Sequence, residues 1–331
     1  MTARAGTTAL VTGATGQDGV YLCRLLRTHG VRVVGTVNPA NGPNGRAAAY
    51  LSDVELATVD IRDAAAMRSL VADVAPDEVY HLAAFTSVGQ SWGAEEEALA
   101  VNHRAVVDLL DAVMSVGKAR FFQASSAELI GDAASSPYAR AKQAAAEAVH
   151  EARARGLHAS TGILFNHESP LRSDAFVTRK ITRTAAEIAL GRTDHIDLGN
   201  LEVIRDWGFA GDFVVAMEAM LQLDEPADVQ IGTGVAHSLA DLLEVAFSAA
   251  GLSDPMSYVR QDPDLLRPAD TSFSGADTSA AFELLDWRAT TTFEDVIAHM
   301  VRVDLQRLRT GITESVDYLD VTGNGTARWY S

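Results

Sequence analysis

Tyr138 and Lys142 stand four residues apart in Tyr138-Ala139-Arg140-Ala141-Lys142, a spacing that sets both on one face of a helix. An ammonium beside a phenol stabilises the phenolate, so a tyrosine placed this way can take up a proton near neutral pH instead of near ~10. Ser125 and Ser126 follow the apolar run Arg120–Ala124, which reads as a strand. Ligands bind beyond the carboxyl ends of parallel strands, so hydroxyls there are well placed. Glu128 comes two residues after Ser126. A carboxylate in a partly desolvated site can remove a proton α to a ketone. Read alone, Glu128 is equally a solvated loop residue.

A second constellation lies near the N-terminus. Gly13-Ala14-Thr15-Gly16-Gln17-Asp18-Gly19 follows the apolar run Thr8–Thr12 and opens a helical stretch. Glycines at this spacing let the backbone approach a pyrophosphate at a helix N-terminus, where unpaired N–H groups and the helix dipole favour anions. Position between a strand and a helix makes this a nucleotide turn. Preference for NAD needs an acidic residue at the end of the second strand, and for NADP an arginine nearby. That strand ends Gly35-Thr36-Val37-Asn38-Pro39, with neither. Arg46 can reach a 2′-phosphate or be a solvated loop residue. Asp60 is placed for an adenine edge or for a helix cap.

These groups need a scaffold. Short apolar runs at Thr8–Thr12, Val31–Val37, Leu56–Val59, Glu78–Ala83, Arg120–Ala124 and His158–Phe165 read as strands. Between them lie helical patterns at Val20–Thr28, Ala64–Val74 with Asp63 as N-cap, Glu95–Val116 and Tyr138–Arg155. Such alternation predicts an α/β fold, a doubly wound parallel sheet covered on both faces. The expected organisation is a dinucleotide-binding Rossmann domain over 1–166 and a smaller C-terminal substrate-binding lobe over 167–310. Part of the chain, about 207–234, is expected to return to the sheet, and 311–331 to form a tail. In the lobe, Thr178–Leu190, Leu239–Ala250 and Phe293–Leu308 read as helices.

Composition narrows the partners. The chain has 331 residues, 47% hydrophobic, with 27 basic against 44 acidic side chains and a net charge of −17. A surface of that sign repels nucleic acid and anionic lipid, so neither is an expected partner. An anionic ligand must be held by local arginines or helix N-termini. Cys23 is the only cysteine, which excludes an intramolecular disulfide and a cysteine-rich zinc site, and no metal is expected. No apolar run reaches membrane-spanning length and Met1–Gly6 lacks a signal-peptide core, so the cytoplasm is the expected compartment.

The glycine turn, Ser126, Tyr138 and Lys142 together resemble the extended short-chain dehydrogenase/reductase family. The resemblance is closest to its GDP-mannose 4,6-dehydratase branch and runs from about Thr8 to Leu308. Its most specific stretches are Gly162-Ile163-Leu164-Phe165-Asn166-His167-Glu168-Ser169-Pro170, Phe176-Val177-Thr178-Arg179-Lys180-Ile181-Thr182-Arg183 and Arg205-Asp206-Trp207-Gly208. Asp77-Glu78-Val79-Tyr80, Leu82-Ala83-Ala84 and Phe122-Gln123-Ala124-Ser125 fit as well.

The resemblance implies a nucleotide-sugar hydro-lyase that yields a 4-keto-6-deoxyhexose, GDP-mannose being the favoured substrate. Another NDP-sugar, an epimerase and a 4-keto reductase are the alternatives. A reductase or 4-epimerase needs no carboxylate at Glu128, which makes that residue the discriminating one. The implied catalytic residues are Ser126 (a threonine in the family), Glu128, Tyr138 and Lys142. NADP is the implied cofactor, with NAD as the alternative. Its implied contacts are Gly13, Gly16, Gln17, Asp18, Gly19, Asn38, Arg46, Asp60, Ile61, Leu82, Ala83, Ala84, Tyr138 and Lys142. Thr86, Ser87, Asn166, Val177, Lys180, Arg205, Arg267 and Asp270 are the implied substrate contacts. Thr86 replaces a family serine and Asp270 a glutamate. Three departures stand out. Asn38-Pro39 replaces an arginine pair that contacts the NADP phosphate and helps build a tetramer. The segment between Glu128 and Tyr138 is about a dozen residues short, and Ala127 and Ile130 replace polar residues. A homodimer through the helices Glu95–Val116 and Tyr138–Arg155 is the expected assembly, with a tetramer left open.

Overall fold

The structure is a computed structural model that describes residues 4–40, 45–130, 136–265 and 275–321. Twelve strands occur among them: β1 Thr8–Thr12, β2 Arg32–Val37, β3 Glu55–Thr58, β4 Glu78–His81, β5 Arg120–Ala124, β6 Ala159–Leu164, β7 Asn166–Glu168, β8 Ile196–Leu198, β9 Ile204–Phe209, β10 Asp228–Ile231, β11 Ala236–Ser238 and β12 Val259–Gln261. The chain divides into two compact units. One comprises Met1–Leu164, Val214–Ile231 and Ser279–Trp287, the other Phe165–Phe213, Gly232–Thr278 and Arg288–Ser331.

In the first unit seven strands form one sheet in the order β10-β6-β5-β4-β1-β2-β3, every pair parallel. This is the doubly wound, Rossmann-like order with one strand added beyond β6. Leu10, Val34, Val79, Phe121 and Ala159 form the apolar middle of one face. They pack against Val71, Leu109, Val113 and Val149 of the helices Ala64–Val74, Ala105–Val116 and Pro137–Ala154. Two residues further along each strand the same face turns polar. Thr12, His81, Gln123 and Thr161 are successive register partners across β1, β4, β5 and β6, each at most 3% exposed. A buried parallel strand is normally apolar throughout, so a polar layer at the carboxyl ends marks where the fold stops serving packing alone.

Local chemistry sets the helix starts. Asp63 caps Ala64–Val74 by accepting from the Ala66 N–H at 3.0 Å. Ser136 caps Pro137–Ala154 by accepting from Ala139 at 3.0 Å, with Pro137 in the first turn where its missing N–H costs nothing. The stretch expected as one helix, Glu95–Val116, is α-helical over Glu95–Leu99, a π turn over Ala100–Arg104, and α-helical again over Ala105–Val116. The extra residue in that turn cannot be read from a 3.6-residue repeat.

Of the segment expected to return to the large sheet, only β10 pairs there, with β6. Trp207 lies instead in β9, in the second unit's own three-stranded sheet β11-β9-β7. The helix segment Ser279–Leu285 belongs to the first unit, which the sequence did not foretell. In the second unit, β8 pairs with β12, and the helices Val177–Ala189, Leu239–Ala249 and Phe293–Thr310 pack on one another. The expected tail is not all tail. Tyr318 and Leu319 are buried, and the Tyr318 carbonyl accepts from His299 Nε2 at 2.9 Å. Residues 322–331 lie outside the described residues. No helix among the described residues is long and apolar enough to cross a membrane.

Candidate active site

The glycine turn joins β1 to the helix Gln17–Thr28, which starts three residues earlier than its apolar pattern suggested. Gly13 sits at φ +72°, and a Cβ on it would meet the Ala83 backbone at 3.0 Å. A Cβ on Gly19 would overlap the Gly13 carbonyl and approach Ala14 Cα to 2.7 Å. Close approach of backbone to backbone therefore requires glycine at both places. Gly16 occupies the N-cap and supplies no side-chain acceptor. The first N–H groups of the helix thus point out of a cradle with the dipole behind them, the arrangement that holds a pyrophosphate. Gln17 is buried and donates to Asp18 at 3.2 Å.

At the end of β2, Asn38 turns its carboxamide oxygen onto the Ala40 N–H at 2.9 Å. Arg46 is half-buried on the short helix Gly45–Tyr50. Asp60, beyond β3, is engaged by Arg62 through both oxygens at 2.6–3.1 Å. That guanidinium holds the Asp60 carboxyl below the usual carboxylate range. Ile61 is half-buried against the core.

Beyond β4 the chain runs along the mouth of the sheet. Thr12 Oγ1 accepts from the N–H groups of Leu82 and Ala83, both at 3.1 Å. Phe85 is clamped at both its backbone groups by buried Asn102, which accepts from its N–H at 2.8 Å and donates to its carbonyl at 2.9 Å. Asn102 lies in the π turn, and its pairing fixes the course of Ala84, Thr86 and Ser87. Thr86 is exposed, while Ser87 caps the turn Val88–Ser91. Sequence reasoning singled out neither Asn102 nor His81. The signal was available: an amide within an apolar helix and an imidazole ending an apolar strand break their local pattern.

The chemistry-bearing residues gather at the end of β5. Ser126 caps the turn Ala127–Leu129 by accepting from the Glu128 N–H at 3.2 Å, so hydroxyl and carboxylate belong to one small structure. Glu128 is half-buried. Ser125 is buried and its hydroxyl has no partner among the described residues, an exception among buried polar groups. The helix Pro137–Ala154 packs against that turn. Tyr138 is 8% exposed, and its N–H donates to Ser91 Oγ at 3.3 Å. Lys142, 4% exposed, donates to the Ala124 carbonyl at 2.9 Å, and its Nζ is 5.9 Å from the Tyr138 ring centre. Burial pushes the Lys142 ammonium down to about 8. The structure thus brings Ser126, Glu128, Tyr138 and Lys142 together at one strand end, beside the glycine turn's own sheet edge. The shortened segment 131–135 lies outside the described residues.

The second unit has its own polar cluster. Asn166 in β7 pairs in register with Trp207 in β9, so Arg205, two residues before Trp207, shares its face. Arg205 donates to the Ile204 carbonyl at 2.8 Å. Beneath it Asp206 is fully buried and accepts from Thr233 N and Oγ1, Gly234 N and Ala276 N at 2.6–3.1 Å. These charge-assisted bonds fix the strand that carries Arg205. Val177 and Lys180 lie in the first turn of Val177–Ala189, a helix with no side-chain N-cap. Lys180 donates to the Asp197 carbonyl at 2.5 Å. Buried Glu168, which accepts from Thr178 at 2.8 Å, pins that turn from below. Arg267 and Asp270 lie outside the described residues. No group of three metal-ligating side chains occurs among the described residues.

Comparison with known proteins identifies the family. The sequence model of the family described as GDP-mannose 4,6 dehydratase matches residues 10–300. GDP-mannose 4,6 dehydratase 2 of Arabidopsis thaliana is 37% identical over 324 residues, covering 90% of this chain and 87% of that one. The GDP-mannose 4,6-dehydratase of Sinorhizobium fredii (strain HH103) is 36% identical over 341 residues, covering 91% and 97%. Among solved structures, UDP-glucose 4-epimerase of Thermotoga maritima with UDP-glucose matches with a TM-score of 0.80 at 22% identity, over 92% of this chain and 99% of that one. The last is a likeness of fold alone.

Proposed function

Because the chain belongs to the GDP-mannose 4,6-dehydratase family, we propose that Ser126, Glu128, Tyr138 and Lys142 perform its hydro-lyase reaction, the conversion of GDP-mannose to the GDP-4-keto-6-deoxyhexose. The observation that carries the assignment is the turn at the end of β5, where Ser126 holds the Glu128 backbone beside the helix of Tyr138 and Lys142. A hydroxyl and a phenol suit removal of the proton from a sugar 4-hydroxyl. A carboxylate two residues along adds the base that a ketone's neighbouring carbon requires.

The cofactor is NADP, with NAD as the alternative. The cradle fits it, since Gly13 and Gly19 admit no Cβ and the helix behind Gly16 has no side-chain cap. Gly13, Gly16, Gln17, Asp18 and Gly19 would hold the pyrophosphate. Asn38, Arg46, Asp60 and Ile61 would surround the adenosine, and Leu82, Ala83, Ala84 and Lys142 the nicotinamide end. When bound, the cofactor would supply the acceptor for hydride from C4 of the hexose and the donor of hydride at C6.

The residues do the rest. Tyr138 takes the 4-hydroxyl proton while Ser126 hydrogen-bonds the same oxygen. Lys142 supplies the nearby positive charge that favours the phenolate. Once the 4-ketone exists, C5–H is acidic and Glu128 removes its proton. The departing 6-hydroxyl needs a proton, and Glu128, now carrying one, delivers it, so water leaves and the carboxylate is restored. Hydride addition at C6 calls for a proton at C5, and the proton that Tyr138 took from the 4-hydroxyl balances it, so the phenolate is restored as well. Thr86 and Ser87 would meet the hexose. Asn166, Val177, Lys180 and Arg205, with Arg267, would hold the nucleotide diphosphate, a task suited to the planar fork of arginine, and Asp270 would lie near the guanine. The Glu128→Gln variant tests the assignment. It should bind the cofactor as the parent does and lose water elimination from GDP-mannose. Unchanged turnover would remove Glu128 from the mechanism.

We further propose a homodimer through Glu95–Val116 and Pro137–Ala154, and a cytoplasmic location. Light scattering of the purified protein tests the first, a monomer being the contrary result.

A further inference from the structure

We propose that His81 is a positioning residue of the cofactor site, a permanently neutral hydrogen-bond acceptor that locks Thr12 to the main chain of Leu82 and Ala83. The inference rests on the reading of the glycine turn and Lys142 as that site. Its logic is a count of protons. The Thr12 hydroxyl has two lone pairs and one hydrogen. The N–H groups of Leu82 and Ala83 occupy the lone pairs, both at 3.1 Å. The hydrogen must therefore go to His81 Nδ1, 2.9 Å away. That nitrogen can bear no proton, so the imidazole is neutral and carries its hydrogen on Nε2.

The surroundings agree. His81 is 1% exposed, and burial followed by the charge of Lys142 pushes its imidazolium down to about 3. Thr12 faces it from β1, Gln123 is its register partner in β5, and the Phe121 ring stacks at 6.3 Å. Among these neighbours and the helix Pro137–Ala154, Lys142 is the one charged group that acts on it. A proton on Nδ1 would break the Thr12 bond and set a second cation beside Lys142. It would also release Ala83, whose backbone touches the place where a Cβ on Gly13 would stand. One imidazole thus joins the strand that leads into the glycine turn to the segment beyond β4.

Asparagine is the conservative replacement, because its Oδ1 sits where Nδ1 does and can only accept. Leucine fills the space and leaves the Thr12 hydrogen unpaired. Titration with NADPH, followed by nucleotide fluorescence, should show His81→Leu binding about tenfold more weakly, the loss expected of one buried unpaired group. KM for GDP-mannose at saturating NADP should stay at the parent value, and His81→Asn should recover the NADPH affinity. Parent-like binding by His81→Leu, or no recovery by His81→Asn, would overturn the proposal. Should His81→Leu fail to fold, nitrogen NMR of the parent's imidazoles, assigned with His81→Asn, still decides. A neutral Nε2–H form throughout about pH 6–8, where a free histidine titrates, is the expected result. An Nδ1–H form or a titration in that range would contradict it. Failure of the parent to bind any dinucleotide would instead sink the cofactor reading, leaving the NMR result to judge His81.

Discussion

Gly19 and Lys142 show how single residues carry the account. A methyl group on Gly19 has no room, because it would overlap the Gly13 carbonyl and press on Ala14. Gly19→Ala should therefore open the turn and abolish measurable NADPH binding, while Gly45→Ala, whose Cβ would meet nothing, should leave it unchanged. Lys142 illustrates the opposite cost. Its ammonium is buried and held at about 8, well below the ordinary ~10.4. Folding at pH 7 therefore buries a charge at an expense of about 3 kcal/mol. From pH 8 to ~10.4 the folded lysine has lost its proton while the unfolded one keeps it, so this penalty shrinks as pH rises. Lys142→Met should melt higher than the parent at pH 7, with the gap closing toward pH 10, and should be inactive at every pH. A parent-like melting temperature at pH 7 would contradict the burial argument. Activity of the parent should fall as pH rises through about 8, since the reaction needs the ammonium.

At the scale of elements, the π turn Ala100–Arg104 has the clearest consequence. It presents Asn102 to both backbone groups of Phe85. Asn102→Ala leaves the N–H and carbonyl of half-buried Phe85 without their amide partner and should cost about 2 kcal/mol of stability, read by urea denaturation. It should also raise KM for GDP-mannose, because Thr86 and Ser87 follow directly. The sequence made some of this plain and hid the rest for physical reasons. Thr8–Thr12, Arg120–Ala124 and Ala64–Val74 were legible to the residue, because a continuous apolar run or a capped amphipathic stretch has few alternatives. Strands β7, β8, β11 and β12 have three residues each, too short for any period to show. The Ser126, Glu128, Tyr138 and Lys142 set was legible because it lies within one strand–turn–helix passage. His81 and Asn102 were not, since their partners Thr12 and Phe85 are 69 and 17 residues away. Asp60 was read as a ligand for adenine or a cap, and its engagement by Arg62 depends on a turn geometry that residue types do not specify.

Across the whole molecule, charge is spent unevenly. The chain carries a net charge of −17, and the amino ends of the large sheet hold a buried charged network. Arg4 pairs with Glu78 and, at 2.6 Å, with Glu218, both carboxylates about 5% exposed. Arg4→Ala takes the guanidinium from two buried carboxylates, leaving Glu78 its bonds from Tyr80 and Gln222 and Glu218 its bond with His29, and should destabilise the protein by about 3 kcal/mol, measured by urea denaturation. Activity per folded molecule should be unaltered, because this network lies at the opposite ends of the strands from Ser126 and Tyr138. The central claim is that one site oxidises, dehydrates and reduces the same sugar without consuming cofactor. It is tested most directly with GDP-mannose carrying deuterium at C4, incubated with the protein and catalytic NADP, and analysed by mass spectrometry and NMR. The expected product is lighter by one water, retains the deuterium and carries it at C6, with no net reduction of the cofactor. Loss of the deuterium to solvent, accumulation of NADPH, or recovery of a C5 epimer that keeps its 6-hydroxyl would contradict the account.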